Sequence, residues 1–308
     1  MQYINPLSIL NLEPAALSNG LDQTMLKREK KRLLAEFELH NTPTIVLRGK
    51  EISKSDVLRV FDMLSTDTER SHHLRIFQNP KLLTFLEEAS LEYFYSGDIV
   101  LLASFPSDFL AFIAPYFAEQ YNRRLFHAFR QRDWEEINVL CAHPIAIPVS
   151  FFALAYKDTF RHIHTLVTDI ETLASQISAG EAPDGRVQEI CDELLVTSIN
   201  HLPDYFTDVR DKYGQALEIL ALSVFNTHRR GQLGMFILRQ GLKLNISTGT
   251  RDRLQYVLDQ LLKLAPAESL FESLTGSGQK DDDNSGFWWI ALGVGAVAAW
   301  AISKLIRD

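Results

Sequence analysis

The residues whose types could do chemistry here are two cysteines, nine histidines and several adjacent carboxylates. A cysteine nucleophile needs a base within hydrogen-bond reach. Cys141 and His143 are the nearest such pair in sequence, but neighbours in sequence do not make a dyad. Cys141 and Cys191 lie 50 positions apart. That is neither a disulfide framework nor metal-ligand spacing, and it fits a reducing compartment. His162 and His164 are two apart, about 200° around a helix, so one face cannot bring both to one metal. His72 and His73 are adjacent and read as part of a solvated loop in a polar connection over 66–80. Glu87-Glu88, Glu135-Glu136 and Asp192-Glu193 read as solvated helix faces. No G-x-x-x-x-G-K-[ST] loop, no G-x-G-x-x-G after a strand, no G-x-S-x-G elbow and no kinase set occurs. These residues predict a protein that is not an enzyme and takes no cofactor or metal.

The chain of 308 residues carries net charge −8, with 46% hydrophobic and 23% charged residues. Those values fit a folded globular chain and exclude disorder and low complexity. The acidic balance argues against nucleic acid, which needs clustered Lys and Arg. One basic cluster stands out against it: Lys27, Arg28, Lys30, Lys31 and Arg32. It could meet anionic lipid headgroups, an acidic protein surface, or solvent alone.

The ends differ. Residues 1–11 lack a basic then apolar signal pattern. Phe287–Ile302 reads FWWIALGVGAVAAWAI, an uncharged run of 16 residues. With its extension to 306 it reaches about 20 residues, roughly 30 Å as a helix, which is one hydrocarbon core. Trp288, Trp289 and Trp300 sit where aromatic belts sit. The sequence thus predicts a single C-terminal transmembrane helix over 287–306, tail-anchoring a body on the cytoplasmic side. Residues 273–286 (SLTGSGQKDDDNSG) read as a flexible linker. Ala291, Gly295, Ala299 and Ser303 recur every fourth residue, a small-residue face suited to close helix packing and homo-oligomers.

Over the body, apolar spacing predicts a mainly α fold. Thr24–Leu39 is an amphipathic helix, with Leu26, Leu33, Leu34 and Phe37 on one face and the basic cluster on the other. Residues 44–52 read as a small β-hairpin around Gly49. Ser53 with Asp56 caps the next helix. The opening NPLSILNL, the basic helix KREKKRLLAEFEL and the later VLRVFDML together resemble a J domain of DnaJ-type co-chaperones. The resemblance covers about a fifth of the chain. It implies a helical module whose basic helix contacts a DnaK-type chaperone. The His-Pro-Asp tripeptide of that family is replaced by His40-Asn41-Thr42, so the ATPase-stimulating contact is not expected.

Further on, Phe105, Phe109, Phe112 and Tyr116 fall on one helix face, a core stripe or a groove for a partner helix. Pro115 is expected to kink or divide that helix. The longest body helix is expected from near Pro148 to Ile177, and 178–185 is a loop. Four helices follow, near 187–200, 208–228, 231–244 and 251–264. The stretch ALEILALSVFNTHRRGQLGMFILRQGLKL resembles a tetratricopeptide-type helix pair, with Gly234 and Gly241 where that family has alanine. An ordinary antiparallel bundle fits as well.

The organisation read from sequence is a J-like module at 1–65, a central aromatic-rich helical domain at 66–178 and a helical-hairpin region at 186–272. A linker at 273–286 and a membrane helix at 287–306 complete it. The expected function is a membrane-tethered protein–protein adaptor, or degenerate co-chaperone, with Lys27, Arg28, Lys30, Lys31 and Arg32 as partner contacts. The alternative is a regulatory body controlling a self-associating membrane helix. An enzyme on an uncommon helical fold is a third reading.

Overall fold

Helices account for almost all regular structure in the computed structural model, which describes residues 3–10, 23–47, 50–95, 105–142, 147–181 and 185–275, the stretch 265–275 by its backbone. Ala291, Gly295, Ala299 and Ser303 of the expected membrane helix, the expected linker from 276 on, and His143 lie outside the described residues. Among the described residues no helix is long and apolar enough to cross a membrane. The chain divides into one compact unit, Met1–Asp259, and a second, Gln260–Asp308, of which only the end of a helix is described.

The N-terminal region begins with α1 (Pro6–Ile9), where Asn5 caps and Pro6 occupies the first turn. Proline is tolerated there because its missing N–H would be unpaired anyway. α2 (Gln23–His40) buries Leu26, Leu33 and Phe37. β1 (Thr44–Leu47) pairs antiparallel with β2 (Lys50–Ser53), Ile45 opposite Ile52. α3 (Lys54–Asp62) opens on a full capping box between Ser53 and Asp56. These elements enclose a core of Leu7, Leu10, Leu33, Phe37, Val57, Val60 and Leu64, with Phe77 contributed from beyond the hairpin module.

The stretch expected as a polar connection is instead α4 (Asp67–Phe77), opened by a capping box of Thr66 and Glu69. His72 and His73 are both buried there, not solvated. α5 (Pro80–Glu88) ends at Ala89, whose left-handed φ of 56° separates it from α6 (Glu92–Tyr95). α7 (Ser107–Gln131) runs through Pro115 as one helix. Its loss of one backbone bond is offset by burial of Phe109, Ile113, Phe117, Tyr121 and Leu125 along its length. Phe85 sits against Phe117 at 4.7 Å and Phe94 at 5.0 Å, the aromatic centre of this region.

α8 (Trp134–Cys141) follows. The helix expected from Pro148 is broken: a 3-10 turn (Val149–Phe151) and α9 (Phe152–Ala155) precede α10 (Lys157–Ser178). The 25 residues of α7 therefore exceed the 22 of α10. α11 (Arg186–Ile190) and α12 (Glu193–Asn200) divide the single helix expected near 187–200, because Asp192 stops to cap the second. α13 (Thr207–His228) packs along α10 and α14 (Gly231–Leu242). α15 (Thr248–Thr275) runs on well beyond 264. A Cβ added at Gly241 would lie 3.3 Å from a Leu254 methyl and 3.6 Å from Leu217. That glycine permits the close approach of α14 to α13 and α15.

Candidate functional site

The strongest candidate is the surface of the N-terminal region, built by α2 and by a cleft beside α3. In α2 the apolar face is drawn inward by Leu26, Leu33 and Phe37, which forces the cations outward. They do not all stay free. Arg32 is held by Glu29 at 2.8 Å and Glu36 at 2.5 Å. Those bonds raise its pKa, led by the one to Glu29. The Lys30 ammonium stands 5.6 Å from the Phe61 ring centroid. Lys27, Arg28 and Lys31 are exposed, and no described carboxylate pairs with them. α2 ends at His40 and is followed by Asn41 with a left-handed φ of 47°, and His40, Asn41 and Thr42 are exposed.

The cleft holds about 290 Å³. Tyr3, Ile4 and Ile9 line it from the N-terminal segment, Ile52 from β2, Val60 and Met63 from α3 and its cap, and Tyr116 from α7. Glu51, Asp56 and Arg59 add charge. Asp56 accepts from the Ser53 hydroxyl at 2.6 Å, which holds its carboxyl below the usual value, and lies 3.4 Å from Arg59. Its Tyr, Met and Arg side chains, set among Ile and Val, are of types enriched at protein interfaces.

The wall of this cleft is fixed by a polar lock that the sequence did not reveal. The Tyr3 hydroxyl lies 2.9 Å from His73 Nδ1. Asn5 donates from its side chain to the His73 carbonyl at 3.0 Å and from its backbone to Glu87 at 2.8 Å. His73 packs 5.0 Å edge-on to Phe112, and His72 lies 4.8 Å from the same ring. Both imidazoles thus meet the aromatic stripe of α7, of which Phe109 is buried, Phe105, Phe112 and Tyr116 are half-buried, and Tyr116 lines the cleft. Burial pushes His73 down to about 4, with Glu69 opposing and His72 reinforcing. Burial and the nearby Glu87 raise Tyr3. This lock keeps a neutral imidazole and a neutral phenol, poor groups for proton transfer at neutral pH.

The other chemical candidates are structural. Cys141 lies 3.6 Å from the Tyr121 hydroxyl, and burial pushes its thiol up to about 11. Cys191 is pushed up to about 12. Both shifts run opposite to nucleophile activation. His162 packs edge-on to Phe126 and Phe129, while His164 is exposed, so the two do not converge. Each carboxylate pair has at least one bound member: Glu87 takes the Asn5 amide, Glu136 takes Arg124 at 2.6 Å, and Asp192 takes Arg132 at 2.7 Å while Glu193 takes Lys243 at 3.1 Å. They are not solvated faces throughout. Among the described residues no three metal-ligating side chains cluster.

Comparison with family models, curated proteins and solved structures finds no match to this chain. The site therefore has to be read from its own chemistry.

Proposed function

We propose that the chain is a membrane-tethered, non-enzymatic interaction protein, held at a bilayer by 287–306 and binding a protein partner at the cleft beside α3. The observation that carries this reading is the cleft's lining. Tyr3, Tyr116, Met63 and Arg59 are the residue types that dominate interface energetics, gathered around a space large enough for one or two partner side chains. The polar lock from Tyr3 and Asn5 to α4 and α5 supports it by holding one wall in place before binding, which lowers the ordering cost. A DnaK-type chaperone is the partner class that the J-like resemblance implies. The exposed α2 cations remain the contact that the resemblance favours. They lack the apolar centre of a protein hot spot, so the cleft is the better first target.

The test is recovery of partners from native membranes in mild detergent, comparing the full chain with Met63→Glu, a charge set into the cleft. A defined protein recovered with the native chain and lost with the variant supports the reading, provided circular dichroism shows both folded. Equal recovery from both removes the cleft as the contact.

A further inference from the structure

The outward face of α2 is cationic in a chain whose net charge is −8. Lys27 and Lys31 are four apart and Arg28 and Lys31 three apart, so like charges face one another on the helix. That spacing opposes helix formation and is not a stability device. Three arginines elsewhere are spent on structure: Arg124 on Glu136, Arg132 on Asp192 and Arg253 on Glu218 at 2.6 to 2.8 Å. Exposed aliphatic side chains stand in the same region, Leu39 at 80% and Val46 at 66% exposure. A protein hot spot places apolar surface at its centre and charge at its rim. Here charge forms the face and aliphatic side chains are its outliers, which is the pattern of a surface lying on anionic headgroups.

Geometry adds to this. Between Thr275, where α15 ends, and Phe287 lie residues 276–286. The compact unit ends at Asp259; helical 260–275 adds about 24 Å and 276–286 at most about 40 Å, so a body tethered by them stays within about 65 Å of the bilayer. Confinement of that kind converts weak binding into occupancy, because the second contact is intramolecular.

We infer that the Lys27/Arg28/Lys31 face of α2 rests on the anionic phospholipid headgroups of the bilayer that holds 287–306, and so fixes which side of the body faces the membrane. The inference rests on the membrane-tether reading. It leaves the cleft free for a protein.

The test uses the full chain in nanodiscs of phosphatidylcholine alone or with about a third phosphatidylserine. An amine-acetylating reagent is followed by mass spectrometry at Lys27 and Lys31, with exposed Lys157 and Lys243 as references. Acetylation of Lys27 and Lys31 is expected to slow roughly fivefold or more with phosphatidylserine, and to recover in about 0.5 M salt. The references keep their rates. Arg28→Glu with Lys31→Glu should leave Lys27 open in both lipids. Equal labelling in both discs overturns the inference. Protection in native membranes but not in phosphatidylserine discs overturns it in favour of an acidic protein. A chain that alkaline carbonate strips from membranes overturns the tether itself, and that failure is separately visible.

Discussion

In α13, Arg210 is 1% exposed and spends its guanidinium on the Leu202 and Pro203 carbonyls at 3.3 Å and the Thr207 hydroxyl at 3.2 Å. In α2, Lys27, Arg28 and Lys31 stand in solvent with no described carboxylate beside them. The same charge does opposite work in the two regions. A buried cation survives only if oxygens replace its water, so the wrapping of Arg210 is a condition of the fold. An exposed cation keeps its hydration and is available to something outside the molecule. The difference teaches that charge placement, not charge count, separates scaffold from surface in this protein.

Removing the buried cation should break the scaffold side of that contrast. Arg210→Ala is expected to cost about 3 kcal/mol, read by urea unfolding, because it leaves the buried Leu202 carbonyl without its donor and empties the space of a large, buried side chain. A loss below about 1 kcal/mol would place Arg210 with the surface charges instead.

The next effect comes from the lock between the N-terminal segment and α4. Burial sets folded His73 at about 4, below the ordinary value of 6.5. As pH falls, the unfolded chain therefore binds the proton first. Stability is full above pH 6.5 and is lost as pH falls toward 4, by up to about 3 kcal/mol. His73→Asn should flatten that slope between pH 6.5 and 4 in pH-dependent denaturation. An unchanged slope would show that the lock is not titrating.

A smaller effect is expected where helices approach most closely. Gly241→Val presses on Leu254 and Leu217, which stand 3.3 and 3.6 Å from the added Cβ. The cost should be about 2 kcal/mol in thermal or urea unfolding, the range of overpacking in a close-packed core. The smallest effect sharpens the other side of the comparison. Lys27→Glu, Arg28→Glu and Lys31→Glu together should move stability by less than about 0.5 kcal/mol, since they have no ion-pair partner among the described residues. A larger destabilisation would mean that α2 cations hold the fold after all.

Much of the helical order was legible because local rules wrote it. The apolar spacing of α2, the Ser53–Asp56 box and the hairpin over 44–53 depend on residues close in sequence. Thr66 and Glu69 also spell a capping box, yet α4 reads as a connection because its helix is polar and its burial comes from outside. Its covers are Tyr3 and Phe112, about 70 and 40 positions away. That Pro115 does not divide α7 and that the helix breaks at Tyr156 have the related reason that packing decides whether a helix survives a poor residue. Of the candidate site, the five cations of α2 were visible as a cluster. Their division into Arg32 bound, Lys30 over a ring and three with no partner among the described residues was not.

By itself the sequence determined a mainly helical chain, a small hairpin, an apolar C-terminal run and a basic helix, because periodicity, capping and turn chemistry act over a few residues. Only the tertiary structure decided that the paired histidines are core, that Tyr3 and Asn5 lock the N-terminus to α4 and α5, and that a cleft opens beside α3. Those outcomes depend on burial between distant segments, where desolvation and packing set the energy and sequence distance carries no information.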